Sequence, residues 1–297
     1  MKRLISANSS DMFKMSKEEL LTSIKASEGR TILSENIVLL PPVANDITNA
    51  EIAKAFGADL ILLNMVDVFE PKIWGLEPGG NFVEKLHKLV GRPIGVNLEP
   101  VDEEASMLES RGDMPEGRRA SVKTIDEIEK LGVDFVCLTG NPGTGVSNKA
   151  IIDSIRLAKK KFSGFIIAGK MHGAGVDEPV ITQEIIEEYI EAGADVILVP
   201  SIGTIPGFDH EQLKMAVKAA HKAGSLVMSA IGTSQEGSDK ETIRYMAIQN
   251  KICGVDIQHI GDAGYCGLAD PENIYEMSKA IRGIRHTAAV MAKSINR

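Results

Sequence analysis

The stretch AGADVILVP, residues 192–200, joins a helix-ending glycine directly to a run of apolar residues. Gly193 suits the left-handed backbone conformation that closes a helix, and a short continuous apolar run is typical of a strand buried on both faces. The same pattern recurs at six other places, namely Gly57 (FGADLILL), Gly91 (VGRPIGVNL), Gly132 (LGVDFVCL), Gly164 (SGFIIAG), Gly224 (AGSLVMS) and Gly254 (CGVDIQHI). Each repeat predicts one helix followed by one strand.

The spacing of this repeat decides between fold classes. Successive glycines lie 34, 41, 32, 29, 31 and 30 residues apart, and a further strand is predicted before them, from Asn36 to Leu40. Eight helix–strand units of about 30 residues favour a closed barrel over an open α/β sheet. The open alternative also lacks the glycine fingerprint of dinucleotide-binding sheets, because the chain reads PPVANDITNAEI after the first strand. The predicted fold is a closed parallel (β/α)8 TIM barrel with an extra N-terminal helix.

Length and composition agree with a single globular barrel. The chain has 297 residues, of which 43% are hydrophobic, and no low-complexity tract or linker divides it. Residues 1–35 are predicted to form a helical extension, opened by the capping pattern Ser16-x-x-Glu19, that covers the barrel floor. Residues 36–297 are then predicted to form one (β/α)8 barrel domain.

Charge and apolar patterning exclude several classes of partner. The formal net charge of −8 opposes nucleic-acid binding, which needs a basic field. The three cysteines show no paired or zinc-binding spacing, and no stretch of about 18 apolar residues is available to span a membrane. We therefore expect a cytoplasmic protein without nucleic-acid or membrane partners.

Polar residues that follow the apolar runs are the candidates for catalysis, because barrel enzymes react at the carboxyl ends of their strands. Alternation along IGVNLE directs Asn97 and Glu99 into the barrel. Asn141 follows strand four, and alternation predicts that its side chain also points inward. The same reasoning applied to FIIAGKMH directs Lys170 and His172 inward. The predicted roles are Lys170 as an amine or acid, Glu99 as a base, His172 as a proton relay, and the two asparagines as orienting groups. A structural ion pair between Lys170 and Glu99 is the alternative.

Glycine-rich loops after strands seven and eight predict an anion site, because convergent backbone N–H groups bind anions. The long third loop, residues 100–123, is charged and poor in apolar residues, so it predicts either a lid that closes an arginine over the substrate or a solvated insertion. The candidate substrate- or phosphate-binding residues are Gly232, Thr233, Ser234, Gly261, Gly264 and Arg118.

A metal site is a second possibility. Asp67, Glu99 and Asp262 are the candidate ligands for a divalent Mg²⁺ or Mn²⁺, and no cofactor is indicated with certainty. With His172 in place of Asp262, the same set would serve a metal-dependent hydrolase or lyase.

Residues 36–285 resemble the (β/α)8 barrels of the phosphate-binding type, and the chain looks like a member of a bacterial barrel family. The resemblance is one of architecture, and it carries over no catalytic residue. It implies an enzyme, a lyase or isomerase, that acts on a small phosphorylated sugar or keto acid by proton transfer or C–C cleavage. A non-catalytic ligand-binding barrel stays open as an alternative. The expected partners are a small anionic metabolite and further copies of the chain in a homo-oligomer.

Overall fold

The predicted closed barrel is confirmed in the computed structural model of the chain, which describes residues 1–297. Eight parallel strands pair in sequence order, and the first pairs with the eighth to close the sheet. The strands are β1 (Thr31–Ile37), β2 (Leu60–Asn64), β3 (Ile94–Leu98), β4 (Phe135–Leu138), β5 (Phe165–Gly169), β6 (Val196–Pro200), β7 (Leu226–Ile231) and β8 (Ile257–Ile260).

Eight helices alternate with the strands and form the outer layer, and two others precede β1. They are α1 (Ser9–Met12), α2 (Lys17–Lys25), α3 (Asn49–Ala55), α4 (Phe82–Val90), α5 (Val122–Leu131), α6 (Asn148–Lys161), α7 (Gln183–Ala192), α8 (His210–Ala223), α9 (Lys240–Cys253) and α10 (Pro271–Ala292). Short 3-10 turns lie at Leu4–Ser6, Glu116–Arg118, Gln235–Gly237 and Tyr265–Gly267. No helix is both long and apolar enough to cross a membrane.

Strand alternation produces two separate apolar cores. On β3, Ile94, Val96 and Leu98 belong to the outer core between sheet and helices, as their alternation predicts. The inner core fills the barrel, where the rings of Phe135 and Phe165 stack with centroids 4.8 Å apart. The barrel is therefore a packed body and not a pore.

The N-terminal segment packs against this inner core. Leu4, Met12, Leu20 and Ile24 are buried in the same cluster as the inward side chains of the strands. The Lys17 ammonium lies 2.7 Å from the carboxylate of Asp195, just before β6 begins. This contact places the segment beneath the amino ends of the strands.

Two expectations about local structure are wrong. The first strand begins at Thr31 and ends at Ile37, so the predicted strand 36–40 is displaced and the boundary at residue 36 falls inside β1. Gly164 does not close a helix, because α6 already ends at Lys161. A side chain at Gly164 would instead place its Cβ 2.4 Å from the carbonyl oxygen of Asp134, so close packing requires glycine there.

Replacing Gly95 by alanine is expected to lower the free energy of unfolding by about 1–3 kcal/mol, because overpacking strains a filled core. The new Cβ would lie 2.1 Å from Cε2 of Phe135 inside the barrel. Urea denaturation measures the loss. Gly112→Ala is the matched control, since a Cβ at that position would have no heavy atom within 4 Å. Equal losses in the two variants would contradict this account of the inner core.

Candidate functional site

A cavity of about 370 Å³ opens at the carboxyl ends of the strands, where barrel chemistry is expected. Only 3 of its 20 lining residues are hydrophobic. Its lining residues are Glu35, Asn64, Asn97, Glu109, Thr139, Gly140, Asn141, Pro142, Met171, His172, Gly173, Ala174, Gly175, Gly232, Thr233, Ser234, Glu236, Gly261, Asp262 and Ala263. A larger groove of about 670 Å³ lies outside the barrel, between α7 and α8, and contains none of these strand-end groups.

Three asparagines form a hydrogen-bonded wall of the cavity. The Asn64 amide donates to Oδ1 of Asn141 and to Oδ2 of Asp262, both at 2.8 Å. The Asn97 and Asn141 amides donate back to Oδ1 of Asn64, at 3.1 and 3.0 Å. The two asparagines predicted to orient a substrate, Asn97 and Asn141, therefore line the cavity and are fixed by Asn64.

Glu35 lies at the inner end of the cavity, on β1, and is almost completely buried. Its Oε2 is 2.8 Å from Nε2 of His259, a fully buried residue of β8. Burial, with the nearby charges of Glu236 and Glu99, raises the pKa of Glu35 to about 8. Burial also lowers the pKa of His259 to about 4. At neutral pH the pair therefore consists largely of a carboxylic acid and a neutral imidazole.

Asp262 is a second acid with a displaced pKa. It is half-buried in the loop after β8 and accepts the hydrogen bond from Asn64 described above. Burial and the Glu35 charge raise the pKa of Asp262 to about 8, and the Asn64 hydrogen bond opposes this shift. Carboxyl groups with pKa values near the working pH are typical of general acid–base catalysts.

The prediction that Lys170 faces the cavity is wrong. On β5, Ala168 packs in the outer core and Ile167 in the inner core. The residues of β5 that face the barrel interior are therefore the alternate set to the one predicted. Lys170 is buried, and its ammonium lies 2.5 Å from Oε1 of Glu178. Lys170 and Glu99 therefore do not form the predicted pair. His172 does line the cavity, where its Nδ1 accepts from the Ala174 N–H at 3.0 Å.

Glu99 and Arg118 form an ion pair behind the cavity wall. The Arg118 guanidinium is 2.7 Å from Oε1 of Glu99, which also accepts from the Asn141 side chain at 2.9 Å. Neither residue lines the cavity. The position predicted for Arg118, over an anionic substrate, is therefore wrong, and Glu99 contacts the site only through Asn141.

The third loop, residues 100–123, contacts the opening of the cavity but contributes no cationic side chain to its lining. Arg111 and Arg119 both pair with Glu103, at 2.5 and 2.6 Å, and only Glu109 of this loop lines the cavity. Met107 forms an isolated bridge with Val176 on the neighbouring loop. The predicted lid arginines are thus held within the loop itself.

Loops seven and eight line the cavity as predicted, through Gly232, Thr233, Ser234 and Gly261. Gly264 lies outside it, and a Cβ there would be 2.4 Å from the carbonyl oxygen of Leu268. The neighbouring side chains in these loops are the carboxylates of Glu236 and Asp262, and no lysine or arginine lines the cavity. Phosphate binding by these loops stays a prediction without a cationic side chain to support it.

The predicted metal ligands are not brought together. Asp67 accepts backbone N–H groups of Phe69 and Glu70 at 2.9 and 3.2 Å and does not line the cavity. Glu99 is paired with Arg118, and Asp262 accepts a hydrogen bond from the Asn64 amide. No group of three or more His, Cys, Asp or Glu side chains is placed to hold a metal ion. The set Asp67, Glu99, Asp262 and its variant with His172 therefore do not fit Mg²⁺ or Mn²⁺.

Of the cavity's four acids, sequence reasoning names only Asp262 as a candidate and misses Glu35, Glu109 and Glu236. Glu35 is missed because the predicted first strand begins five residues later than β1 does. One signal could locate it: Gly29 precedes the apolar pair Ile32-Leu33 and lies 28 residues before Gly57, close to the period of the other repeats. Glu236 lies in a short 3-10 turn, which leaves no periodic pattern.

The free energy of unfolding is expected to fall by about 1–2 kcal/mol for each buried acid between pH 6.5 and 8. In this window folded Glu35 and Asp262 still hold protons that the unfolded chain has lost, so rising pH favours unfolding. Below pH 6.5 the lowered pKa of His259 acts in the opposite direction, because the unfolded histidine takes up a proton first. Urea denaturation at both pH values measures the fall. Glu35→Gln should reduce it, and an unchanged slope in that variant would contradict the raised pKa.

Comparison with solved structures supports the barrel. A 2,3-dimethylmalate lyase, described as a PEP mutase/isocitrate lyase superfamily member, superposes with a TM-score of 0.50 at 12% identity, over 83% of this chain and 81% of that chain. A protein from Burkholderia cenocepacia, proposed to be a lyase/mutase, superposes with a TM-score of 0.50 at 15% identity, over 92% and 96%. At these identities the likeness shows the fold alone.

Comparison with curated proteins finds no match. The family described as a domain of unknown function, DUF7916, matches residues 5–297, and the chain belongs to this family.

Proposed function

We propose that the protein is an enzyme of the lyase or isomerase class that acts on a small polar metabolite by proton transfer, with Glu35 and Asp262 as its acid–base groups. One observation carries the proposal: both carboxyl groups line the cavity at the carboxyl end of the barrel, and the pKa of each is raised to about 8. Groups with these properties gain and lose protons near neutral pH.

The two acids have different surroundings, and this difference suggests a division of roles. Glu35 is the more deeply buried and is backed by His259, so it suits the neutral acid that gives its proton to the substrate atom on which negative charge develops. Asp262 accepts a hydrogen bond that favours its charged form, so of the two it is the one that, once deprotonated, suits the base that removes a proton from a substrate C–H or O–H. One proton enters the substrate and one leaves it, so the total charge of the Glu35 and Asp262 pair is the same before and after the step.

The amide wall supplies orientation. The mutual hydrogen bonds of Asn64, Asn97 and Asn141 fix their side chains before a ligand arrives. Preorganised polar groups in a buried site stabilise developing charge without first having to rearrange. The lyase and mutase descriptions of the structural neighbours are consistent with this class of chemistry on a barrel.

A screen across compound classes tests the proposal. The protein is incubated in D₂O with a mixture of hydroxy acids, oxo acids, sugars and amino sugars, each with and without a phosphate group, and mass spectrometry detects deuterium uptake and new products. We expect exchange or conversion of one compound class that depends on Glu35. Binding of a compound without exchange or conversion would favour the non-catalytic barrel instead.

Two further arms of this screen separate the alternative mechanisms. Activity that is lost with a chelator and restored by Mg²⁺ or Mn²⁺ would favour metal-dependent chemistry over the proposal. Borohydride trapping of an adduct on Lys170 would favour Schiff-base chemistry, which the contact between Lys170 and Glu178 opposes. The proposal expects neither result.

A further inference from the structure

The cavity has an unbalanced charge. Four carboxyl side chains line it. Those of Glu35 and Asp262 largely hold a proton at neutral pH, which leaves the carboxylates of Glu236 and, at the exposed rim, Glu109, and the only basic residue of the lining is His172. The two cations that the sequence predicted for the site, Lys170 and Arg118, are bound instead to Glu178 and Glu99. An anionic ligand would therefore meet repulsion that no side chain of the cavity offsets.

Some residues of the cavity lining also have buried polar atoms without a hydrogen-bond partner. They belong to three buried residues, and the atoms are Glu236 Oε2, Asn97 Oδ1 and Thr139 Oγ1. The other carboxylate oxygen of Glu236 accepts from the Ala263 N–H at 2.8 Å, which fixes the side chain. Buried polar atoms are normally paired, so unpaired ones in residues that line a cavity indicate where a ligand binds.

The chemistry of these atoms defines the ligand. Two of the three, in Glu236 and Asn97, are acceptors only, and the Thr139 hydroxyl can accept as well. A protonated amine supplies three N–H donors and one positive charge, so it satisfies both the acceptors and the charge imbalance. A phosphate or carboxylate group supplies acceptors and negative charge, so it satisfies neither.

We infer that the cavity binds a small hydroxylated metabolite that carries a protonated amine, and that Glu236 binds the ammonium group. The inference rests on the proposed function for the location of the site and adds the substrate class. The cavity volume of about 370 Å³ accommodates a molecule of the size of a six-carbon amino sugar or amino polyol. The amides of the wall would then contact its hydroxyl groups.

Calorimetric titration at neutral pH, with a chelator present, tests the inference through two matched pairs of probes. These are 1-amino-1-deoxy-D-glucitol against D-glucitol, and ethanolamine against ethylene glycol. We expect an amine to bind at least about tenfold more tightly than its matched alcohol, because a buried charged hydrogen bond replaces a neutral one. The inference is overturned if neither amine exceeds its alcohol, or if glucose 6-phosphate binds more tightly than both amines.

Variants of Glu236 locate the contact. Glu236→Gln should weaken binding of the amine at least about tenfold and leave binding of its matched alcohol unaffected. Glu109 is an exposed carboxylate at the rim, so Glu109→Gln should weaken binding of the amine less than about twofold. Glu236→Asp keeps the charge and should retain part of the preference, which guards against misfolding of the glutamine variant. An equal effect at Glu236 and Glu109 would overturn the assignment. Because the readout is binding, loss of turnover in the D₂O screen would contradict only the proposed function.

Discussion

Replacing Glu35 by glutamine is expected to lower kcat about 10²–10⁴-fold in whichever reaction the D₂O screen detects, since this is the usual contribution of a positioned acid–base group. Glutamine keeps the shape of the side chain and cannot give up a proton at neutral pH. The glutamine side chain can still contact Nε2 of His259, so the inner end of the cavity keeps its packing. Steady-state kinetics with the wild-type substrate measures the change.

The controls for Glu35→Gln separate chemistry from folding. Glu188→Gln alters an exposed carboxylate on α7 that does not line the cavity, and it should retain full kcat. Ligand affinity of Glu35→Gln, measured by calorimetry, should stay within a few-fold of the wild type. A kcat within tenfold of the wild type in a folded Glu35→Gln protein would remove Glu35 from the mechanism.

Replacing Arg282 by methionine is expected to lower the free energy of unfolding by about 3–5 kcal/mol, the usual result of removing one partner from a buried ion pair. The Arg282 guanidinium lies on α10, is completely buried, and is 2.6 Å from Oδ2 of Asp59. It also donates to the carbonyl oxygen of Gly57 and, at 2.8 Å, to the Ser278 hydroxyl. Methionine would leave the Asp59 carboxylate buried without its cation. Denaturation by urea or guanidinium measures the loss.

A second variant distinguishes the charge effect from lost packing. Adding Asp59→Asn to Arg282→Met removes the unpaired carboxylate and should recover part of the stability. The exposed pair of Lys130 and Glu127, 3.2 Å apart, gives the control, because Lys130→Met should change the free energy of unfolding by less than about 1 kcal/mol. If Arg282→Met and Lys130→Met lose equal amounts, the buried pair does not stabilise the fold.

The fold could be predicted from the sequence because the signal is repeated. Gly193, for example, ends α7 in the left-handed conformation and is followed within three residues by β6, and the same sequence of events occurs at Gly91 and Gly132. Each occurrence supports the others, so one misread repeat, such as that at Gly164, leaves the barrel unchanged. The position of β1 is harder to predict because its residues TILSENI place buried polar side chains where apolar ones are expected.

The site is harder to predict than the fold, because it depends on strand parity and on loops. β5 reads FIIAG and is apolar on both faces, so alternation cannot tell Ile167 from Ala168, and Lys170 is predicted on the wrong side. β3 contains Gly95 and Asn97, whose polarity and size differ from their neighbours, and its parity is predicted correctly. Glu236 enters the cavity from a 3-10 turn, where no periodicity fixes the direction of a side chain.

The packed interior of the barrel also bears on the order of events in a catalytic cycle. The Phe135–Phe165 stack and the N-terminal segment beneath it block passage through the barrel, so substrate and products share one opening. Two fragments produced by a cleavage would leave through this one opening, and a fixed order of departure would be visible in product inhibition. The fragment that leaves last would inhibit competitively against the starting compound, and the one that leaves first would inhibit noncompetitively.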